Sequence, residues 1–348
     1  MRLTEKDRWP AGPIVPGRYW HPLDDGRIQC DVCPHFCTLR EGQQGLCFVR
    51  ARQEDQIVLT TYGRSSGFCV DPIEKKPLHH FLPGTPVLSF GTAGCNLSCK
   101  FCQNWDISKS REIEKLSDQA SPGEIAVAAR ELGCRSVAFT YNDPTIFFEY
   151  AIDVARACHE VGVKTVAVTA GYICPEPREE LYRHVDAANV DLKAFTERFY
   201  AKECGAHLQP VLDTLTKMKQ LGVWLEVTTL LIPGLNDDPQ ELTELAQFLV
   251  ALGADTPWHI SRFHPTYRMM DRPITPLKTL HMAREIGVNA GLHYVYTGNV
   301  PGDAGENTAC HQCGARLIER FGFSIKRHAL IDGKCSQCGT TAAGVAMQ

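Results

Sequence analysis

From residue 86 onward the apolar positions alternate between two periods. Short, nearly continuous apolar runs, bounded by Gly, Pro or Asn, read as buried strands, and the longer stretches between them carry apolar residues at helical spacing. Strands are expected at 86–91, 136–141, 164–169, 188–193, 223–232 and 258–263, with a last one at 292–296. The helices between them are expected at 122–132, 145–161, 177–184, 196–203, 209–221, 238–252 and 276–287. Ser121 is an N-cap with Pro122 at the first helical position. Gly162 and Gly287 read as helix ends. Repeated strand–helix units predict an α/β fold with a parallel sheet, and about six of them predict a partial (β/α)6 barrel rather than a closed eight-fold one.

The flanks have different patterns. Residues 1–29 are rich in Pro, Gly and charge and read as an extended arm, with Trp9, Tyr19 and Trp20 as anchors. Residues 48–85 read as β-structure and turns, with a strand at 56–61 and a Pro-bounded loop at 71–81 that carries His79 and His80. After a linker at 298–306, residues 316–330 alternate as a β-hairpin does. Three domains are expected: 1–85, an N-terminal arm and cysteine-rich extension; 86–300, the partial barrel; and 301–348, a C-terminal module.

Composition narrows the class. With 44% hydrophobic and 22% charged residues the 348-residue chain is globular, and a net charge of −4 offers no general affinity for nucleic acid or anionic membranes. No apolar run approaches a membrane span and the first residues lack a signal-peptide core, so a cytoplasmic protein is expected. Sixteen cysteines in that compartment point to metal rather than disulfides.

Eleven of the sixteen cluster, in three groups. Cys95, Cys99 and Cys102 form C-x3-C-x2-C in a Gly-flanked loop after the first barrel strand. Three thiolates can hold three irons of a [4Fe-4S] cube and leave the fourth open to a ligand. Cys30, Cys33, Cys37 and Cys47 fall within eighteen residues and suit either zinc or a second iron–sulfur cluster; His35 lies among them. Cys310, Cys313, Cys335 and Cys338 make two knuckles, each followed by Gly (Gly314, Gly339), as in a zinc ribbon or a rubredoxin-like site, with zinc the expected metal. The isolated Cys69, Cys134, Cys158, Cys174 and Cys204 read as small buried hydrophobes.

The cysteine loop, with Phe101 before its last thiol, closely resembles the signature of radical S-adenosylmethionine (SAM) enzymes. The Cys-Pro-His-x-Cys stretch upstream and the knuckles downstream resemble the radical SAM member of the AMMECR–Memo–radical-SAM (AmmeMemoRadiSam) gene set, a family similar to pyruvate formate-lyase activating enzymes. The resemblance implies that Cys95, Cys99 and Cys102 ligate a [4Fe-4S] cluster whose open iron chelates SAM. It places Tyr141, Asn142 and Asp143 where relatives receive the SAM amino group, and Thr169 and Gly171 beside the cofactor. Asp191 and Lys193 match an Asp-x-Lys of the activating enzymes and become candidates for cofactor binding and catalysis. Val168 stands where those enzymes have an Asp, and Asp143 where the related pattern has Glu.

The function implied is reductive cleavage of SAM to a 5′-deoxyadenosyl radical acting on a small molecule, nucleotide or partner protein. A low-potential donor such as flavodoxin or ferredoxin would supply the electron, and Memo-like and AMMECR-like proteins would be partners. A glycyl-radical-enzyme activase is an alternative; the extra cysteines, which precede the SAM motif rather than follow it, weaken that analogy. A second alternative is a non-catalytic, metal-stapled protein that grips RNA or another protein through its locally basic C-terminal part (Arg316, Arg320, Lys326, Arg327, Lys334), though that part lacks the aromatic interleaving of a nucleic-acid platform.

Overall fold

Strands buried on both faces need a helix to return the chain, and the structure, a computed structural model, follows that rule. It describes residues 12–109 and 118–347; the expected anchor Trp9 lies outside the described residues. The chain divides into two compact units, one made of residues up to Asp71 with Pro86–Asp186, the other of Pro72–Thr85 with residues from Ala187 onward.

In the first unit the strands Pro86–Phe90, Ser136–Phe139 and Lys164–Thr169 run parallel, with Ser136–Phe139 in the middle. Helices Pro122–Glu131 and Phe148–Glu160 make the returns. Ser121 caps the first in a full capping box with Glu124, with Pro122 at the first helical position as expected. The second is preceded by a tight turn, Pro144–Phe147, which takes up the start of the helix expected from 145. Phe90, Phe139, Phe147 and Tyr150 pack edge-on or tilted as the core of this unit. Residues 12–29 are not an extended arm. Val15–Pro16 pairs antiparallel with Gln56–Leu59, and Trp20–Pro22 with Ile28–Cys30, because Tyr19, Trp20 and Ile28 bury apolar surface against Val32 and Ile57.

The second unit holds four parallel strands, Ala187–Asp191, Trp224–Leu231, Trp258–Arg262 and Val295–Gly298, adjacent in that order. The helix expected at 196–203 is broken into Glu197–Phe199 and a wider turn at Tyr200–Cys204 that ends on left-handed Gly205. Gly287 does not end a helix: Leu277–Ala290 runs through it and stops at Gly291. Gly287 is needed for packing, since a Cβ there would lie 2.9 Å from the Trp258 ring and 3.0 Å from Val295. At the C-terminal end, Arg316–Phe321 and Ser324–His328 form the expected hairpin, and Thr308–Ala309 adds a third strand. Among the described residues no helix is long and apolar enough to cross a membrane.

The 71–81 loop is not a plain surface loop. The backbone N–H groups of His79 and His80 donate to the fully buried carboxylate of Glu226, which also accepts from His259 Nε2 at 2.7 Å and Trp224 Nε1 at 3.0 Å. His80 Nδ1 donates to the Ala343 carbonyl and its Nε2 meets the Tyr296 hydroxyl, both at 2.6 Å, which satisfies a neutral ring. Burial holds His80 down to about 4, against the pull of Glu226, and burial with the nearby Arg320 and His259 holds His79 well below its ordinary range. A histidine held low contributes stability that is full above its unfolded pKa of about 6.5 and fades as pH falls toward 4, by up to about 1.4 kcal/mol per pH unit per ring. Thermal unfolding between pH 7 and 5 should therefore show a steep loss of stability that is shallower in His80→Gln; parallel pH slopes for the two proteins would overturn this.

Candidate active site and cysteine centres

The C-terminal edges of the three parallel strands in the first unit carry the residues singled out in the sequence. The loop after Phe90 holds Cys95, Cys99 and Cys102, the loop after Phe139 holds Tyr141, Asn142 and Asp143, and Thr169 ends the third strand, with Gly171 two residues on. Asn142 ties the first two loops together. Its Nδ2 donates to the carbonyls of Thr92 and Gly94, both at 2.9 Å, and its Oδ1 accepts from Thr92 N. Gly91 is required by this contact, because a Cβ there would stand 2.2 Å from the Thr140 carbonyl and 2.6 Å from Asn142 Oδ1. Asp143 ties the second loop to the third. It accepts from Thr145 N at 3.0 Å, Thr169 Oγ1 at 2.9 Å and Ala170 N at 2.8 Å. Of the roughly four acceptor positions of a carboxylate, one is left. Tyr141 adopts a left-handed backbone at φ 70° and donates its hydroxyl to Asp71. Thr169 Oγ1 also accepts from Gly171 N. The side chains of Asn142, Asp143 and Thr169 thus hold the cysteine loop and its two neighbours in register.

Cys99 is buried, and Cys95 and Cys102 are half-buried. Burial pushes the Cys95 thiol up to about 12, with the Asp143 carboxylate adding to the effect and Lys109 opposing it. A bound cation is what would turn such a thiol into a thiolate. Leu97 N donates to Cys95 Sγ at 3.5 Å, and Cys102 Sγ lies 3.0 Å from Ser108 Oγ. A single ion at about 2.3 Å from four sulfurs holds them about 3.8 Å apart. Among the described residues only Cys310, Cys313, Cys335 and Cys338 form a group so contracted, with all ligand atoms within 4.8 Å. The wider loop sulfurs and their glycine cradle fit a polynuclear cluster.

In the contracted group Cys310 Sγ lies 3.6 Å from Cys338 and Cys313 Sγ 3.7 Å from Cys335. Gly314 N and Gly339 N each close a turn onto the carbonyl of the first cysteine of their knuckle, at φ 73° and 74°. This group could hold one metal ion. Cys335→Ser should release one metal per chain on mass spectrometry of the native protein, whereas an unchanged metal count would exclude the assignment.

In the second unit Lys193 Nζ pairs with Asp191 Oδ2 at 2.9 Å, just beyond the Ala187–Asp191 strand. The Lys193 amide meets the Tyr200 hydroxyl and its carbonyl accepts from Asn236 Nδ2, so the lysine backbone is fixed from two sides.

Sequence reasoning passed over several residues of the first unit. Asn96 donates to the Tyr172 carbonyl at 2.8 Å and its own carbonyl accepts from His35 Nε2 at 2.6 Å, joining the cysteine loop to the N-terminal knuckle. Arg50 and Glu149 form a buried pair with contacts of 2.7 and 3.0 Å. The signal for Asn96 was its place inside the motif. The pairing of Arg50 with Glu149, ninety-nine residues apart, left none.

Residues 90–249 match the Radical SAM superfamily. That segment, with its cysteine loop, is a radical SAM domain, a class of domain that implies an iron–sulfur cluster and SAM. Within that class the chain belongs to the family of the uncharacterized protein MJ0808 of Methanocaldococcus jannaschii, to which it is 43% identical over 324 residues, covering 92% of this chain and 96% of that protein. It is also 26% identical over 161 residues to the pyruvate formate-lyase-activating enzyme of Clostridium pasteurianum, covering 45% of this chain and 66% of the relative. Among solved structures it is similar to a radical SAM methyltransferase from Sphaerobacter thermophilus, with a TM-score of 0.50 and 18% identity over 88% of this chain and 86% of that one, a likeness of fold.

Proposed function

We propose that this protein is a radical SAM enzyme that cleaves SAM reductively and directs the resulting radical onto a substrate. The observation that carries the reading is the three-cysteine loop, too open for one ion and locked by Asn142 against the ends of parallel strands. When bound, a reduced [4Fe-4S] cluster with one open iron would supply the one-electron chemistry that reductive cleavage of SAM needs. Cys95, Cys99 and Cys102 would hold it. Asn142 and Asp143 act as positioning residues, and the remaining acceptor position of Asp143 suits the SAM ammonium. Lys193, oriented by Asp191, is a charged group suited to a carboxylate or another anion. Zinc is the metal proposed for the C-terminal cysteines. The protein is read as cytoplasmic, as an AmmeMemoRadiSam member with Memo-like and AMMECR-like partners, and as taking its electron from a flavodoxin or ferredoxin. The similarity to pyruvate formate-lyase-activating enzymes supports a second reading, activation of a glycyl radical enzyme. Val168, where those enzymes have an Asp, weighs against it.

The test is anaerobic reconstitution, reduction with dithionite and addition of SAM. Wild type should form 5′-deoxyadenosine and show a cluster EPR signal that changes with SAM, and Cys99→Ala should show neither. Iron-loaded wild type whose signal ignores SAM would sink the reading. A glycyl radical on an added partner protein would favour the activase.

A further inference from the structure

Cys30, Cys33, Cys37 and Cys47 line one small, partly open pocket of the first unit. The rest of its wall includes His35, Arg50, Asn96 and Thr145. Four thiols around a single space are a metal site by chemistry. Which metal they hold is decided by spacing. The C-terminal group shows how this chain arranges sulfurs for one ion, in pairs 3.6 and 3.7 Å apart. The N-terminal sulfurs are not so arranged. Among the described residues no three of their ligand atoms, His35 included, come within 4.8 Å of one another, and they surround a void instead. His35 is also engaged elsewhere, its Nε2 proton donated to the Asn96 carbonyl.

The cavity wall carries two further signs of an occupant. Arg50 is 2% exposed and Thr145 1%, yet Arg50 Nε and Thr145 Oγ1 have no hydrogen-bond partner. A buried donor without an acceptor destabilises the fold, and an anionic sulfide or thiolate is an acceptor for both groups. We propose that these four cysteines hold a second iron–sulfur cluster, a [4Fe-4S] cube with every iron ligated by the protein. Having no open iron, it does not chelate SAM, and its chemistry is one-electron exchange. It sits against the SAM loop: Asn96, next to Cys95, is part of its wall, and the Cys47 carbonyl occupies the space where Gly94 would carry a Cβ.

The proposal goes beyond the SAM-cleavage reading and is tested separately from it. The full chain with Cys95→Ala, Cys99→Ala and Cys102→Ala is reconstituted with iron and sulfide without oxygen, and its metals are counted. About four irons and one zinc per chain, with an EPR signal after dithionite that SAM leaves unchanged, is the expected result. No iron with two zincs, or no iron with one zinc, would overturn it. If the triple variant does not fold, wild type decides: about eight irons are expected, falling to about four in Cys30→Ser/Cys33→Ser with the SAM-sensitive signal retained. About four irons in wild type, unchanged by those two substitutions, would overturn it equally.

Discussion

Gly94→Ala is expected to strip the cysteine loop of its iron and abolish SAM cleavage. Gly94 has φ +84°, a left-handed conformation that costs an ordinary residue about 1–2 kcal/mol. The larger effect is steric. A Cβ at this position would lie 2.1 Å from the Cys47 carbonyl oxygen and 3.2 Å from its carbon. The obstacle is backbone, so no rotamer relieves it; either the loop or the Cys47 turn must move. The loop is held from the other side by Asn142 and by the Gly94 amide donating to the Ile107 carbonyl at 3.1 Å, so movement breaks the frame that sets the sulfurs. Reconstituted Gly94→Ala should lose at least about four irons per chain and form no deoxyadenosine. Gly133→Ala is the control: φ is +68°, but the Cβ would meet nothing within 4 Å, so it carries only the backbone cost. A Gly94→Ala protein with full iron and a SAM-sensitive EPR signal would show that the loop has slack the contacts deny.

Glu149→Ala should be the most destabilising change outside the metal sites. Glu149 accepts two bonds from Arg50 and a third from the Arg18 backbone, and the two side chains are 8% and 3% exposed. Burial alone would raise the Glu149 carboxyl, but Arg50 and these hydrogen bonds hold it below its ordinary range. Removing the carboxylate leaves the guanidinium buried without its counter-charge, at a cost of about 3–5 kcal/mol. Arg50 lies three residues from Cys47 and lines the N-terminal cavity, so the loss should also loosen that cysteine group. Replacing both partners together, Arg50→Met with Glu149→Leu, should recover much of the stability, because no unpaired charge remains. Urea unfolding of the three variants checks this. A double variant no more stable than Glu149→Ala would mean that the pair acts through more than its charges.

The strand–helix alternation from residue 86 was legible because a parallel strand covered on both faces carries a short continuous apolar run, as at 137–139 and 166–168. Capping was legible for the same local reason: Ser121, Pro122 and Glu124 satisfy the first turn among themselves. Gly287 was misread because a glycine needed for closeness to Trp258 looks the same in a sequence as one needed for a helix end. The N-terminal segment was misread because its strands, two to four residues long, are stabilised by partners far along the chain rather than by their own pattern.

By itself the sequence determined what is encoded in spacing: the three cysteine groups and the order of the strand–helix elements. Which cysteines have their sulfurs drawn close together and which line a pocket was decided only by tertiary structure, because C-x2-C and C-x3-C spacings suit both. Tertiary structure likewise decided that Asn142 and Asp143 clamp the loops, that His79 and His80 belong to the buried Glu226 network, and that Arg50 meets Glu149. Each of these depends on groups brought together from distant parts of the chain, and a buried polar group is stabilised only by a partner that folding places beside it.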